Sequence, residues 1–172
     1  MGDVTTNATT GYTDTHCHLY DTRGVAQDDV ITAAHAAGVT TMITVGCDAT
    51  TTASAIDTAS RYDGIYATAG LHPHEAKFGV DTIVEFLDDP HVIAIGECGL
   101  DYYYDHSPRS IQRDVFAAQI HLAHAHGLPL IVHTRDAWAD TFDIPAAEGM
   151  PERTVLHRLT GVQFALLVVG HT

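Results

Sequence analysis

The residues best suited to chemistry in this sequence are histidines that follow short apolar segments. The chain contains 13 histidines in 172 residues, and imidazole titrates near neutral pH and binds first-row divalent metals. His16 and His18 stand one residue apart at the end of the segment YTDTHCHLY. Residues two apart in a strand point to the same face, so both imidazoles could hold one cation while Cys17 points to the other face.

Further candidate ligands end other apolar segments. Glu97 ends HVIAIGE, His133 ends PLIVH and His157 ends RTVLH. Glu97 has two carboxylate oxygens and can bridge two cations, while His133 and His157 could hold the second cation. Two neighbouring cations activate a water and stabilise both the attacking and the leaving oxygen of a hydrolytic displacement. We therefore predict a site for two divalent cations with Glu97 as its catalytic carboxylate. Whether these ions are zinc, magnesium or manganese stays open.

Two residues near these ligands are candidates for contact with a substrate. His72 lies in the segment GLHPHE, and Arg135 follows His133 by two positions. A guanidinium group matches phosphate oxygens in a bidentate manner, so Arg135 is predicted to clamp a phosphate. For His72, contact with a substrate and a buried hydrogen bond within its loop explain the position about equally well.

An alternation of strands and helices must position these residues. We predict strands over 12–20, 39–46, 64–70, 91–97, 129–133 and 153–157, and helices over 26–37, 50–61, 79–89, 109–126 and 136–148. The strands are short and apolar, as in a parallel sheet covered on both faces. A doubly wound open sheet and a (β/α) barrel both fit this order.

The ends of the predicted strands favour the barrel. No glycine-rich phosphate loop follows the first strand, and the polar residues stand at strand carboxyl ends, where barrels place their sites. A full barrel needs around 250 residues. We therefore expect a single domain over residues 1–172 that is a TIM-type (β/α) barrel with about six of the eight β/α units. Residues 1–11 are expected to be flexible, and 162–172 form an atypical tail.

The charge and the cysteines limit the function. The formal net charge is −14, with 22 acidic and 8 basic residues, which disfavours a nucleic-acid-binding module held by basic patches. A nuclease remains possible because bound cations can make a cleft locally positive. The 3 cysteines include no CxxC pair, which favours reduced thiols in a cytoplasmic protein. No secretory leader is found, and the apolar run FALLVVG is too short to span a bilayer, so no membrane association is expected.

Several spaced motifs resemble one known family. DTHCHLY, GLHPHE, AIGECGLDYYYD, QRDVFAAQIHLAHAHGLPLIVHTRDAW and TVLHRLTG are similar, in this order, to the motifs of TatD-type metal-dependent hydrolases, which are nucleases of the amidohydrolase-like barrel superfamily. The resemblance covers about residues 12–161. It implies a (β/α) barrel that cleaves phosphodiester bonds of DNA. It also implies that His16 and His18 bind one cation, that His133 and His157 bind the other, and that Glu97 bridges them.

The sequence departs from the family pattern in two places. The last motif reads HRLTG, with Arg158 and Leu159, where the family has HCF[ST]G. A late ETD-like motif, whose aspartate completes the first metal site in the family, has no counterpart before Thr172. We therefore expect a carboxyl-terminally truncated member, with unpaired edges on the first and last strands and with marginal stability or a need for a partner.

Three functions stay open. The first is a metal-dependent hydrolase that acts on DNA. The second is a related barrel enzyme that hydrolyses a cyclic amide or another ester. Such enzymes often carry a bridging carboxylated lysine, and the sole lysine, Lys77, lies in a predicted loop-to-helix region. The third is an inactive fragment that binds cations. The oligomeric state is not predicted.

Overall fold

The structure is a computed structural model and describes residues 11–157. Its elements, in chain order, are β1 (Tyr12–Cys17), α1 (Gln27–Ala36), β2 (Val39–Val45), α2 (Ala49–Arg61), β3 (Ile65–Ala69), a 3₁₀ helix (Pro73–Phe78), α3 (Asp81–Val84), β4 (Val92–Asp101), α4 (Arg109–His126), β5 (Leu130–Arg135), α5 (Trp138–Glu148) and β6 (Thr154–His157). The predictions for 162–172 and for nearly all of 1–11 concern residues outside this range.

The six strands form one parallel sheet in the order β1-β2-β3-β4-β5-β6. A doubly wound sheet would reverse its strand order at a switch point. No reversal occurs among the described strands, so the sheet is a curled partial barrel, as predicted. The sheet curls far enough that the rings of His16 in β1 and His157 in β6 stack, with their centroids 3.5 Å apart. Within residues 11–157, β1 and β6 each pair along one edge.

Local sequence signals explain where the main helices begin and end. Asp48 caps α2, because its carboxylate accepts a hydrogen bond from the backbone N–H of Thr51 at 2.7 Å, and the Thr51 hydroxyl oxygen accepts one from the backbone N–H of Asp48 at 3.0 Å. This reciprocal pair is a capping box. Helix α4 ends at Gly127, whose φ of 63° is left-handed and is favourable for glycine, which lacks a Cβ.

The main core lies between the sheet and the helices that cover its outer face. Phe116 and Ile120 of α4 are fully buried and pack in the same cluster as Leu100 of β4 and Leu130 of β5. Truncating a fully buried phenylalanine to alanine typically costs about 3–5 kcal/mol. This packing fixes β4 and β5, the two strands that carry Glu97 and His133.

The predicted helix over 79–89 is wrong in its position and length. The chain instead forms the 3₁₀ helix Pro73–Phe78 and the short helix α3. Pro73 stands in the first turn of the 3₁₀ helix, where its fixed φ is compatible with helix and its missing N–H is not needed. Gly79, with a φ of 82°, ends that helix.

The predicted strand over 91–97 is too short, because β4 continues to Asp101. Leu100 pairs in register with Thr134, and Asp101 pairs with Arg135. Pairing with β5 therefore extends a segment, CGLD, whose glycine and aspartate favour a loop in isolation. No helix within residues 11–157 has the length and apolar character that a membrane crossing requires.

Candidate metal centre at the carboxyl ends of the strands

A polar pocket of about 360 Å³ lies at the carboxyl ends of the strands. Its lining comprises His16, His18, Cys47, Asp48, His72, His74, Glu75, Glu97, His133 and His157. The strand ends therefore meet at one rim, as predicted, and every predicted metal ligand reaches that rim. Parallel barrels position their active sites at this end.

Glu97 lies at the centre of the pocket and is only 5% exposed. Its Oε1 is 2.9 Å from Nδ1 of His133, and its Oε2 is 3.3 Å from Nε2 of His16. Donor atoms that share one ion about 2 Å away are themselves about 3 Å apart. Burial raises the pKa of the Glu97 carboxyl, but the imidazoles of His133 and His16 outweigh burial and hold the pKa well below its usual range. Glu97 is therefore ionised, as a metal ligand must be.

Two groups of potential ligands share this carboxylate. His16, His18 and Glu97 form one group, and His72, Glu97 and His133 form the other; within each group the ligand atoms lie within 4.8 Å of one another. Two imidazoles and a carboxylate are a donor set of catalytic metal sites. The shared Glu97 has the position that a bridging ligand requires.

Unpaired nitrogens indicate that a cation fits here. Nδ1 of His16 is buried without a hydrogen-bond partner among the residues that the structure describes. Nε2 of His16 and Nε2 of His133 are also buried, and each has only a carboxylate oxygen nearby, at 3.3 Å and 3.4 Å, without the geometry of a hydrogen bond. Buried polar atoms are nearly always hydrogen-bonded, because an unpaired one costs free energy. A bound cation would compensate for this cost by accepting the lone pairs of the imidazoles.

The protonation states of two histidines also favour metal binding. Burial lowers the pKa of His72 to about 3, and burial and the neighbouring His16 lower the pKa of His18. Both imidazoles are therefore neutral at pH 7. A neutral imidazole has the free lone pair that coordination needs.

A second layer of contacts orients His18. Its Nδ1 is 2.8 Å from the Tyr20 hydroxyl and 3.3 Å from the carbonyl oxygen of Val45. A carbonyl only accepts hydrogen bonds, so Nδ1 carries the proton and Nε2 has the free lone pair. The Tyr20 hydroxyl in turn donates to Sγ of Cys47 at 3.7 Å. Burial, together with the charge of Glu97, raises the pKa of the Cys47 thiol to about 12.

His157 and His72 occupy positions in the pocket that could not be predicted from the sequence. The His157 ring stacks on His16, with centroids 3.5 Å apart and an interplanar angle of 4°. His72, predicted to contact a substrate, joins Glu97 and His133 instead. The role of His157 as a ligand stays a prediction, and His72 becomes a candidate ligand.

Arg135 does not line the pocket formed by the described residues. Its guanidinium lies 3.9 Å from the ring centroid of Tyr103 and 4.6 Å from that of Tyr104. The Arg135 guanidinium is therefore held in a cation–π arrangement with two tyrosines, and its role as a phosphate clamp stays a prediction.

Asp101 is a residue of the site that sequence reasoning missed. It is 1% exposed, and its Oδ2 lies 2.9 Å from Nε2 of His74 and 3.4 Å from Nε2 of His133. Its Oδ1 accepts the backbone N–H groups of Tyr103 and Tyr104, each at 3.0 Å. Burial raises the pKa of this carboxyl, but these hydrogen bonds and that of His74 leave the pKa below its usual value. Extending the strand alternation four residues beyond Glu97 would have identified it.

The sheet is parallel and of the barrel type, and its strand carboxyl ends bring histidines together around one shared carboxylate. This combination defines the class of (β/α)-barrel metal-dependent hydrolases. The comparison with protein families makes this specific. The profile described as "TatD related DNase" matches residues 13–165, and the chain belongs to this family.

Two relatives illustrate the match in sequence. The chain is 40% identical over 157 residues to a protein of Bacillus subtilis named "Uncharacterized metal-dependent hydrolase YabD", covering 86% of this chain and 60% of the relative. It is 38% identical over 143 residues to "3'-5' ssDNA/RNA exonuclease TatD" of Cronobacter turicensis, covering 80% of this chain and 54% of the relative. The chain thus spans 54–60% of the length of these two relatives.

Solved structures agree with the fold. The TatD homologue YJJV of Escherichia coli superposes with a TM-score of 0.76 at 30% identity, over 87% of this chain and 61% of that one. A TatD family hydrolase of Entamoeba histolytica gives a TM-score of 0.69 at 23% identity, over 81% of this chain and 55% of that one. The predicted family and the predicted barrel-type fold are confirmed.

Proposed function

We propose that the protein is a metal-dependent hydrolase that cleaves phosphodiester bonds of nucleic acid, with single-stranded DNA as the first substrate to test. The observation that carries this proposal is the position of Glu97, whose two oxygens face histidines of different ligand groups. Membership in the TatD related DNase family supports it. So does the name "3'-5' ssDNA/RNA exonuclease" of a relative.

We assign the ligands as follows. His16, His18 and Glu97 would hold one divalent cation, and His72, His133 and Glu97 the other. His157 would join the second cation by the family pattern. These imidazole-rich donor sets suit zinc better than magnesium or manganese. Bound cations would supply Lewis-acid polarisation of a phosphoryl oxygen and would lower the pKa of a water to near neutrality.

The charge of the loaded pocket and the orientation of its histidines favour an anionic substrate. Asp48, Glu75 and Glu97 contribute at most three negative charges to the pocket lining. Two divalent cations would contribute four positive charges, so the loaded pocket would be locally positive although the chain carries a net charge of −14. Asp101 holds the rings of His74 and His133 from behind. Partners of this kind fix the orientation of a ligating imidazole.

The test compares Glu97→Gln with wild type on 5'-labelled single-stranded DNA and RNA in zinc, manganese or magnesium. We expect the rate to fall at least about 100-fold, because the variant loses the charge that both cations share. Glu148→Gln is the matched control, since this carboxylate also contacts a histidine, His121, but on the helices outside the pocket. Equal activity of Glu97→Gln and wild type would refute the assignment.

Metal stoichiometry separates this proposal from the alternatives. About two cations per chain with turnover support it, whereas bound cations without turnover on any nucleic acid support an inactive metal-binding fragment. A cyclic amidase with a carboxylated lysine is disfavoured. Lys77, the sole lysine of the sequence, is on the 3₁₀ helix with its Nζ 5.2 Å from the Phe78 ring centroid and does not line the pocket.

A further inference from the structure

Two large aromatic side chains are exposed beside the metal centre. Tyr103 is 58% exposed and Tyr104 is 49% exposed. Their rings meet edge to face, with centroids 4.7 Å apart, and the Arg135 guanidinium lies over both. We call Tyr103, Tyr104 and Arg135 the tyrosine platform. Exposed aromatic rings with a cation are typical of surfaces that bind the faces of flat ligands.

The tyrosine platform is held firmly in place. Both tyrosines follow directly after β4, where their backbone N–H groups donate to the buried Asp101 carboxylate at 3.0 Å. Arg135 ends β5 in register with Asp101. The tyrosine platform therefore sits at the ends of two central strands, so little conformational entropy is lost when a ligand stacks on it.

A continuous series of rings joins the tyrosine platform to the metal centre. Tyr104 contacts His74 with centroids 5.5 Å apart, and His74 contacts His72 at 4.4 Å. His72 contacts His133, a candidate ligand, at 4.6 Å. A ligand that reaches from the cations to the platform therefore passes along a wall of aromatic and imidazole rings.

We propose that the tyrosine platform stacks a nucleobase of the single strand whose phosphate lies at the metal centre. This inference rests on the proposed function and adds a base-binding subsite to it. Stacking is tolerant of sequence, because every base has a π face, and Arg135 adds a positive charge for the strand on an acidic protein. Bases in a duplex already have both faces covered, so the subsite selects single strands.

The first experiment compares Tyr103→Leu with wild type on a short oligothymidylate and on the same oligonucleotide with one abasic position, scanned along its length. We expect the variant to raise KM about tenfold, within the range for loss of one stacked base. The value of kcat should change less than about twofold, because Tyr103 touches none of the proposed ligands. At one position, the abasic substitution should remove the difference between variant and wild type.

Fluorescence measures the stacking directly, in addition to the kinetic experiment. With 2-aminopurine at that position, wild type should quench the fluorescence and Tyr103→Leu should not. Tyr103→Phe keeps the ring and should behave as wild type. Tyr12→Leu is the matched control, because Tyr12 is 71% exposed at the other end of the sheet, where β1 begins.

The outcomes distinguish the two proposals. Suppose that the oligonucleotides are hydrolysed, but that Tyr103→Leu raises KM equally for the complete and the abasic oligonucleotide or leaves the fluorescence quenching intact. The stacking subsite is then refuted, and the nuclease proposal stands. If wild type neither hydrolyses nor binds any oligonucleotide in the presence of the metals, the proposed function fails and the subsite fails with it.

Discussion

Replacing Asp101 by alanine should destabilise the fold by about 3–5 kcal/mol, the cost expected for losing three hydrogen bonds to one buried carboxylate. The carboxylate is 1% exposed, and three hydrogen bonds depend on it, two from backbone N–H groups at 3.0 Å and one with His74 at 2.9 Å. A hydrogen bond to a charged group contributes about 1.5–3 kcal/mol net. After the substitution, the backbone N–H groups of the half-exposed tyrosines can bind water. Each lost hydrogen bond should therefore cost about the lower value of this range.

Urea unfolding measures this difference. With a slope of about 2 kcal/mol per molar urea, the midpoint of Asp101→Ala should fall by about 2 M at pH 7. Asp101→Asn keeps an oxygen for the backbone N–H groups and should lose less than half as much. Asp57→Ala is the control, because that carboxylate pairs with Arg61 on the exposed surface of helix α2, and its midpoint should shift by less than about 0.5 M. Equal midpoints for Asp101→Ala and Asp57→Ala would refute the structural role of Asp101.

Three further predictions follow from single contacts. Tyr20→Phe removes the hydroxyl next to Nδ1 of His18 and should weaken metal binding about 10–100-fold in a chelator competition; an unchanged affinity would contradict this. Gly99→Ala would place a Cβ 2.2 Å from the carbonyl oxygen of His133 at a φ of +119°, so its thermal unfolding should show a loss of at least about 2 kcal/mol. The folded-state pKa of Asp101 lies below its usual value of 3.8, so its contribution to stability is present above that pH and is lost on acidification. The difference in urea midpoint between wild type and Asp101→Asn should therefore decrease as the pH falls below 3.8. A difference that stays constant would contradict the assignment.

Much of the fold is readable from the sequence because strand and helix segments differ in pattern. The strand prediction 39–46 and the helix prediction 109–126 agree with β2 and α4 to within one residue, since β-branched runs and an alanine-rich helix ended by glycine are strong local signals. The end of β4 was not readable. CGLD becomes strand through pairing with β5, and such tertiary pairing overrides local preference.

The residues that line the pocket were predictable from the sequence, but their geometry was not. Strand ends identified His16, His18, Glu97, His133 and His157 as residues of one rim, and all of them line the pocket. Sequence spacing cannot tell which histidine approaches which oxygen of Glu97, because that depends on the curl of the sheet and on the 3₁₀ helix. The pairing of His72 with His133 and the role of Asp101 therefore required three-dimensional positions.

The stacking of His16 on His157 links the pocket to the order in which the chain assembles. These rings come from the first and last strands of the described chain, so their contact has one of the largest loop-closure costs in the fold. The rim is complete only after β6 has docked. A cation that binds the complete rim and not the unfolded chain would add RT ln(1 + [L]/Kd) to stability, about 2.7 kcal/mol at a hundred times its Kd. Metal binding would thus favour molecules in which β6 is docked and the rim is complete.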